Sequence, residues 1–412
     1  MAKGIQSFRE KLLNSSKFGV AMKFIIAVLF SSYIFVFCSF GSRPKLFLMS
    51  YPILALLIVA LCLFLFVNFN EVKKKLSLHL LIPFVFVFFV LISTIIGTRN
   101  FTYFKTTLLL TITAASAFLT YICLKDLKII LYLICVPILV FGIYYCIHYR
   151  SEILHYSGQR LGSFFGNEND VGLNFFFGFA LSTMLIVPLK QYWMIPSSLL
   201  LLFTGITTGS KKVIILAFAF TIFFICVLLR KRKWLLIVSV AVIITISVII
   251  ISLPMFADIR KRLIRGVPFF GNLEADASTV NRLLFFRTSF YLGTKSLIFG
   301  YGGSGFAQYS GLDVYSHNNL GEILCDFGAL GVISFYALYP VIGYFANKKK
   351  TTHILVIFTF LGSFIFCSFT AIFFDSKIYY VLFALSLYLI SDKKKEMAKQ
   401  QENANTYCEI SI

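Results

Sequence analysis

The chain has 412 residues, of which 59% are hydrophobic and only 13% charged, with a formal net charge of +21. This balance excludes a soluble globular domain, because apolar runs of about 20 residues, enough to cross roughly 30 Å of hydrocarbon, recur along its length. It also excludes nucleic acid as the reason for the charge, since no basic face is both large and soluble.

Twelve apolar runs are readable in order, at about 20–40, 46–68, 77–96, 103–123, 128–148, 171–188, 192–208, 213–229, 234–253, 319–344, 352–372 and 377–391. In lipid each backbone must be satisfied within its own helix, so the expected fold is an all-α polytopic membrane protein of about 12 transmembrane helices, one domain over 1–412. The first run has a basic flank and is long enough to stay as an anchor, so no cleavable signal peptide is expected. Lys3, Arg9, Lys11 and Lys17 precede it; Lys73–Lys75, Arg230–Lys233, Lys348–Lys350 and Lys393–Lys395 follow later. The termini and even-numbered loops carry 22 of the 38 basic residues, the short odd-numbered loops nine and the long loop 254–318 seven. By the positive-inside rule both termini are expected in the cytoplasm, with loops 149–170 and 254–318 outside. Nine cysteines show no CxxC pairing, so neither a disulfide framework nor a zinc site is expected.

The loop 254–318 is the one large interruption, and loops of that length without purpose are uncommon. Within it, Asp258–Arg265 (DIRKRLIR) sets basic residues on one helical face, as in a short helix on a membrane surface. Asn281–Leu297 has apolar residues at helical spacing with Arg282 and Arg287 interleaved, and is too short and charged to span. A helix lying over the outer face is expected there. The glycines of Gly300-Tyr-Gly-Gly-Ser-Gly305 satisfy G-x-G-x-x-G, but the dinucleotide fold needs a strand before them and a helix after. They are expected instead to make a tight turn leading to His317.

Charges on the outer face run against the topology signal, which makes them candidates for function. Arg160 precedes span six, and Lys211 and Lys212 open span eight. Arg282 and Arg287 are close enough along one helix to reach roughly the same region. Each has a structural alternative: an arginine at headgroup level, a snorkelling lysine, or a helix held by anionic lipid. His317 is the only histidine of the long loop and can accept a proton at ordinary pH. Asn318 follows it, and Glu322 and Asp326 lie one turn apart on span ten. Asp313, Glu322 or Asp326 is placed to orient His317 or raise its basicity, and intramembrane carboxylates usually face a cavity or a partner. Together these features point to chemistry on a charged, lipid-anchored substrate.

In order along the chain, "Arg160…Gly162-Ser-Phe…Gly166-Asn-Glu-Asn", "Thr-Gly-Ser-Lys211", "Asn281-Arg282…Phe286" and "Phe299-Gly-Tyr-Gly…Ser316-His317-Asn318…Glu322…Phe327-Gly-Ala-Leu-Gly331" resemble the O-antigen ligase and Wzy-type polysaccharide polymerase superfamily. The resembling blocks cover about 160–335. The resemblance implies a metal-independent, cofactor-free glycosyltransferase of the plasma membrane, with its active site on the extracytoplasmic face. It implies polyprenyl-diphosphate-linked oligosaccharides as substrates, with a flippase and a chain-length regulator as pathway partners. By the same resemblance His317 is the general base or acceptor binder and Arg160, Lys211 and Arg282 hold the diphosphate, supported by Arg287, Lys212, Asn318, Glu322 and Asp326. Two departures stand out: Lys211 replaces the usual Arg, losing a bidentate grip, and Asn-Glu-Asn replaces Asn-Pro-Asn.

Polymerisation of repeat units into capsular or exopolysaccharide is the first expectation, helped by a Phe-, Ile-, Lys- and Asn-rich composition typical of an AT-rich Gram-positive source. Ligation of a finished glycan to another acceptor is the second. A lipid-linked-oligosaccharide flippase is the third, set back by the lack of paired halves with matching broken helices. A carboxylate base from the first outer loop is disfavoured, because 41–45 (GSRPK) holds no acid.

Overall fold

The computed structural model describes residues 16–40, 48–73, 81–156, 158–229, 232–265, 277–349, 362, 364, 368 and 377–392. Among them the chain is all helix and turn. Most of run 352–372, the loop 41–45, Lys3, Arg9, Lys11, Lys74, Lys75, Arg230, Lys231, Lys350 and Lys393–Lys395 fall outside the described residues.

The helices are α1 (Ser16–Phe40), α2 (Ser50–Lys73), α3 (Ile82–Ile96), α4 (Thr102–Leu124), α5 (Leu127–His148), α6 (Arg150–Leu154), α7 (Glu168–Ile186), α8 (Ile195–Thr207), α9 (Lys211–Leu229), α10 (Lys233–Ser252), α11 (Ala257–Arg265), α12 (Ala277–Lys295), α13 (Gly305–Ser310), α14 (Asn319–Tyr336), α15 (Leu338–Lys349) and α16 (Lys377–Asp392). Six stretches are long and apolar enough to cross a membrane: Gly19–Phe40, Ser50–Phe69, Thr102–Leu124, Leu127–His148, Glu168–Ile186 and Asn319–Tyr344. Ile82–Ile96, Tyr192–Thr207, Lys233–Ile249 and Lys377–Leu389 are apolar but shorter. The chain is therefore a multi-pass membrane protein by length and composition.

Helix starts follow local chemistry. Asp126 caps α5 by accepting from Lys128 N at 2.8 Å, Asn167 caps α7 through Asn169 N at 2.9 Å, and Asn318 caps α14 through Gly321 N at 2.8 Å. Such side-chain oxygens satisfy amides that no helical carbonyl can reach. The core lies where α1 meets α4, α5 and α7 and where α16 packs on α4, with Tyr121, Phe141, Phe175 and Tyr388 buried. By contrast α10 exposes Trp234, Ile237, Val238, Val242, Val248 and Ile249, as a lipid-facing helix would.

Contacts between loops sort them to the two ends of the bundle. At the far end of α5, Leu161 N donates to Thr207 O at 3.2 Å, Tyr156 packs edge-on against Phe256 with centroids 5.9 Å apart, and Gly158 sits against Asp258. Loop 97–101 meets 301–304, with Thr98 N donating to Tyr301 O at 2.8 Å and Thr98 Oγ1 to Gly303 O at 2.7 Å. Near the start of α5, Tyr132 donates to Gln191 Oε1 at 3.0 Å and stacks on Trp193. The loops 149–170 and 254–318, read together from charge, thus touch each other.

The long loop is built around a break in α14. Gly328 has φ 67° and ψ −169°, which an L side chain rarely adopts. In an unbroken helix Ala329 and Leu330 would donate to the carbonyls of Cys325 and Asp326. Here Ala329 N donates to Leu297 O at 2.7 Å and Leu330 N to Ile298 O at 3.4 Å. The freed carbonyls accept from Tyr301 N at 2.9 Å and Gly302 N at 2.7 Å, and Ser93 Oγ of α3 adds a 2.6 Å bond to Asp326 O. Residues 297–302 act as a clasp that satisfies these four backbone groups released by the break. The glycine turn is thus more than a connector: at Gly300 (φ 68°) a Cβ would collide with the Asp326 backbone. Rather than merely lying over the outer face, α12 runs beside α14 in the same direction, Ser289 against Gly321 and Gly293 against Leu324. Small residues at both crossings let the two backbones approach closely.

Candidate active site

Asn318 ends the loop and starts α14, so His317 stands immediately before a helix N-terminus. Its backbone is left-handed, φ 56°, a conformation non-glycine residues hold only when their surroundings impose it. Those surroundings are identifiable. Glu322 Oε2 accepts from Ser316 N at 2.6 Å, Ser316 Oγ donates to Asn318 O at 2.9 Å, and Asn318 Oδ1 takes Gly321 N. Asp326, fully buried, accepts from Phe306 N at 2.8 Å and Ser304 N at 3.0 Å. Both carboxylates hold the loop's backbone, each occupied by amides that burial would otherwise strand. The expectation is that they orient His317 or raise its basicity; instead Glu322 holds the backbone just before His317 and Asp326 holds the turn at 304–306. Asp313 is exposed, with φ 50°.

The imidazole is half-buried between two rings. Phe285 of α12 stacks on it with centroids 5.8 Å apart and planes 14° apart, and Tyr315 approaches to 4.1 Å. Burial first, then the positive charges of Arg282 and Lys212, push His317 down from 6.5 to about 4. This overturns the expected rise in basicity: the charges that act on the ring are cations, not acids. It also shows that Arg282, Lys212 and His317 share one electrostatic neighbourhood, although they lie on α12, α9 and the loop before α14.

The remaining candidates are placed around this group. Lys212 also acts on Asp170 in the first turn of α7. The approach of these turns follows from Gly172, where a Cβ would collide with Thr208 and Val213. Lys211, half-buried, begins α9. Arg160, on the loop bonded to Thr207, pairs with Glu168 at 3.3 Å and donates to Asn169 Oδ1 at 3.3 Å. Arg287 is exposed and, five residues beyond Arg282, projects about 140° around α12, so the two do not serve one spot. Asn319 donates to Tyr336 Oη at 3.0 Å. Among the described residues no three His, Cys, Asp or Glu side chains cluster at metal-holding spacing.

Residues 196–336 match the family model of O-antigen ligases. Over this segment the chain is similar to the O-antigen ligase and Wzy-type superfamily. The matched segment runs from α8 to the end of α14 and so contains Lys211, Lys212, Arg282, Arg287, His317, Asn318, Glu322 and Asp326; Arg160 precedes it. Members of this superfamily are membrane glycosyltransferase-like enzymes, ligases or polymerases acting on glycans. No curated protein matches the chain.

Sequence reasoning did not find Phe285, Tyr315, Asp170 or the clasp. Phe285 had a signal, since it lies three residues after Arg282 and therefore on the same helix face, as does Phe286 four residues after it.

Proposed function

We propose that the chain polymerises polyprenyl-diphosphate-linked oligosaccharide repeats on the outer leaflet of the plasma membrane, by glycosyl transfer without a metal. The supporting observation is a neutral, ring-clamped His317 held in the field of Arg282 and Lys212, inside the O-antigen ligase segment. A base with a pKa near 4 is unprotonated at ordinary pH and can take a proton from a sugar hydroxyl at hydrogen-bond distance.

The step balances as follows. The acceptor hydroxyl oxygen forms a bond to the donor's anomeric carbon while His317 takes the hydroxyl proton. The bond from that carbon to the diphosphate oxygen breaks, and its electron pair leaves with the diphosphate. Arg282 and Lys212 meet the negative charge that develops there, helped by the α14 N-terminus. Lys211 and Arg160 extend the basic surface from the neighbouring loops; Arg160 exchanges Glu168 for phosphate oxygens as substrate binds.

Cell-surface glycan and lipid-linked intermediates, resolved by gel, test this in cells carrying wild type or an equally expressed His317→Ala. A long ladder collapsing to single lipid-linked repeats on the outer leaflet is the expected result. Repeats stranded on the inner leaflet indicate a flippase, while intact polymer that fails to reach its final acceptor indicates a ligase. An unchanged ladder removes His317 from the chemistry.

A further inference from the structure

We infer that Tyr315 is the stacking platform for the sugar ring that carries the acceptor hydroxyl, which deepens the proposed function and rests on it. Its ring centroid lies 4.1 Å from that of His317 with the planes 52° apart, so the two rings meet at an angle and not face to face. Tyr315 nevertheless remains 41% exposed. Phe285, the other ring on the imidazole, is half-buried and packs edge-on against buried Phe306, as a packing residue does. The backbone beside Tyr315 is fixed, because buried Glu322 holds Ser316 N at 2.6 Å and Asn318 caps α14. A tyrosine that is both held and open binds a ligand at little cost in conformational entropy.

The surroundings select the ligand. The same loop exposes Gln308, Tyr309 and Asp313, and Tyr309 is braced by stacking on Tyr301 with centroids 4.4 Å apart. A pyranose has an apolar C–H face and a rim of hydroxyls. Aromatic rings meet the face, while an amide and a carboxylate meet the rim. Hydrocarbon and anionic headgroups are poor alternatives, because the exposed carboxylate of Asp313 stands two residues from Tyr315. The diphosphate of the donor is drawn instead to Arg282 and Lys212, the cations that act on His317. That leaves the ring in the loop for the second substrate. A pyranose resting about 4 Å above Tyr315 directs its equatorial hydroxyls sideways, where one of them can meet the adjoining imidazole.

The test uses the full chain in nanodiscs and the repeat oligosaccharide released by mild acid from the lipid-linked intermediates of the producing cells. Saturation-transfer NMR, with irradiation of the aromatic protons, reads the stacking. Magnetisation is expected to reach the C–H protons of one sugar ring in the wild type and in Tyr315→Trp. Binding is expected to weaken about tenfold in Tyr315→Leu, which fills similar space without a flat face. Tyr315→Met, equally non-aromatic, must follow Tyr315→Leu, and melting temperatures of both report the fold. In transfer assays on the same nanodiscs the acceptor KM rises by the same factor while the donor KM holds; a ring acting only through the imidazole changes kcat and leaves both KM values. No binding by the wild type overturns the inference. So does equal binding by wild type and Tyr315→Leu, the outcome for a ring that only packs on His317 or rests among lipid headgroups. Ring-dependent binding without any transfer overturns the enzymatic function and leaves the sugar site standing, whereas transfer whose acceptor KM ignores the ring does the reverse.

Discussion

His317 has a left-handed backbone, one stacked and one tilted aromatic neighbour, and a pKa lowered to about 4, which keeps its ring neutral at ordinary pH. Loss of a general base costs roughly 10²–10⁴-fold in rate, so His317→Ala is expected to lower kcat by that order with the fold intact. The sign of the pH effect follows from the cause. With the neutral ring as the active form, kcat/KM stays flat from neutral pH downward and falls tenfold per unit below about 4. Removing a neighbouring cation relieves repulsion of the imidazolium, so Arg282→Gln is expected to move the acid limb upward. Bound diphosphate acts in the same direction, so the limb in kcat lies above that in kcat/KM; pH profiles of the two parameters check both points. His317 stands out in the sequence as the only histidine of the long loop and Arg282 as a charge running against the topology signal; the structure sets the two in one electrostatic neighbourhood. The role of Glu322 was not, because its partner is the backbone amide of Ser316, and a backbone's direction leaves no mark in residue identity. Glu322→Ala leaves that amide unsatisfied, a cost of about 1–3 kcal/mol, and is expected to impair activity more than Glu322→Gln, which keeps an acceptor. Transfer assays on equally expressed variants read the difference.

Among the elements, α14 carries the most consequence. Its Gly-Ala-Leu-Gly stretch reads as a helix end, yet the helix resumes after Gly328, because the clasp at 297–302 replaces the two hydrogen bonds lost. Only a pairing across about 30 residues makes the break tolerable, and local pattern does not reveal such pairing. Gly328→Ala is expected to lower the melting temperature and the yield of monodisperse protein: the φ alone costs about 1–3 kcal/mol, and the added Cβ meets the Ile298 carbonyl. Ala329→Gly, outside the clash, serves as the control. Helix starts have a local cause, since Asp126, Asn167 and Asn318 are ordinary capping residues. For α12, hydrophobic spacing announced a helix but not that Ser289 and Gly293 would set it against α14.

At the scale of the whole molecule, hydropathy anticipated a helical multi-pass protein because a membrane allows little else. The number of crossings is less legible: among the described residues six stretches meet the length and apolarity of a span, and α3, α8 and α16 are shorter. The helix α3 ends where Ser93 Oγ donates to Asp326 O of α14 and Thr98 N to Tyr301 O of the clasp. The loops sorted together by contact predict their common exposure. In a cysteine-free background, Asp313→Cys is expected to react with a membrane-impermeant maleimide on intact cells and Trp193→Cys only after permeabilisation. The opposite pattern would invert the topology drawn from the basic clusters.

The clasp also constrains how turnover proceeds. Residues 297–302 complete the hydrogen bonding of α14 and touch α3, so swinging this segment aside would strand buried amides and carbonyls on both partners. That part of the candidate site is a stator. On the proposed function, each round of transfer is then accommodated by displacement of the glycan and its lipid past a stationary wall.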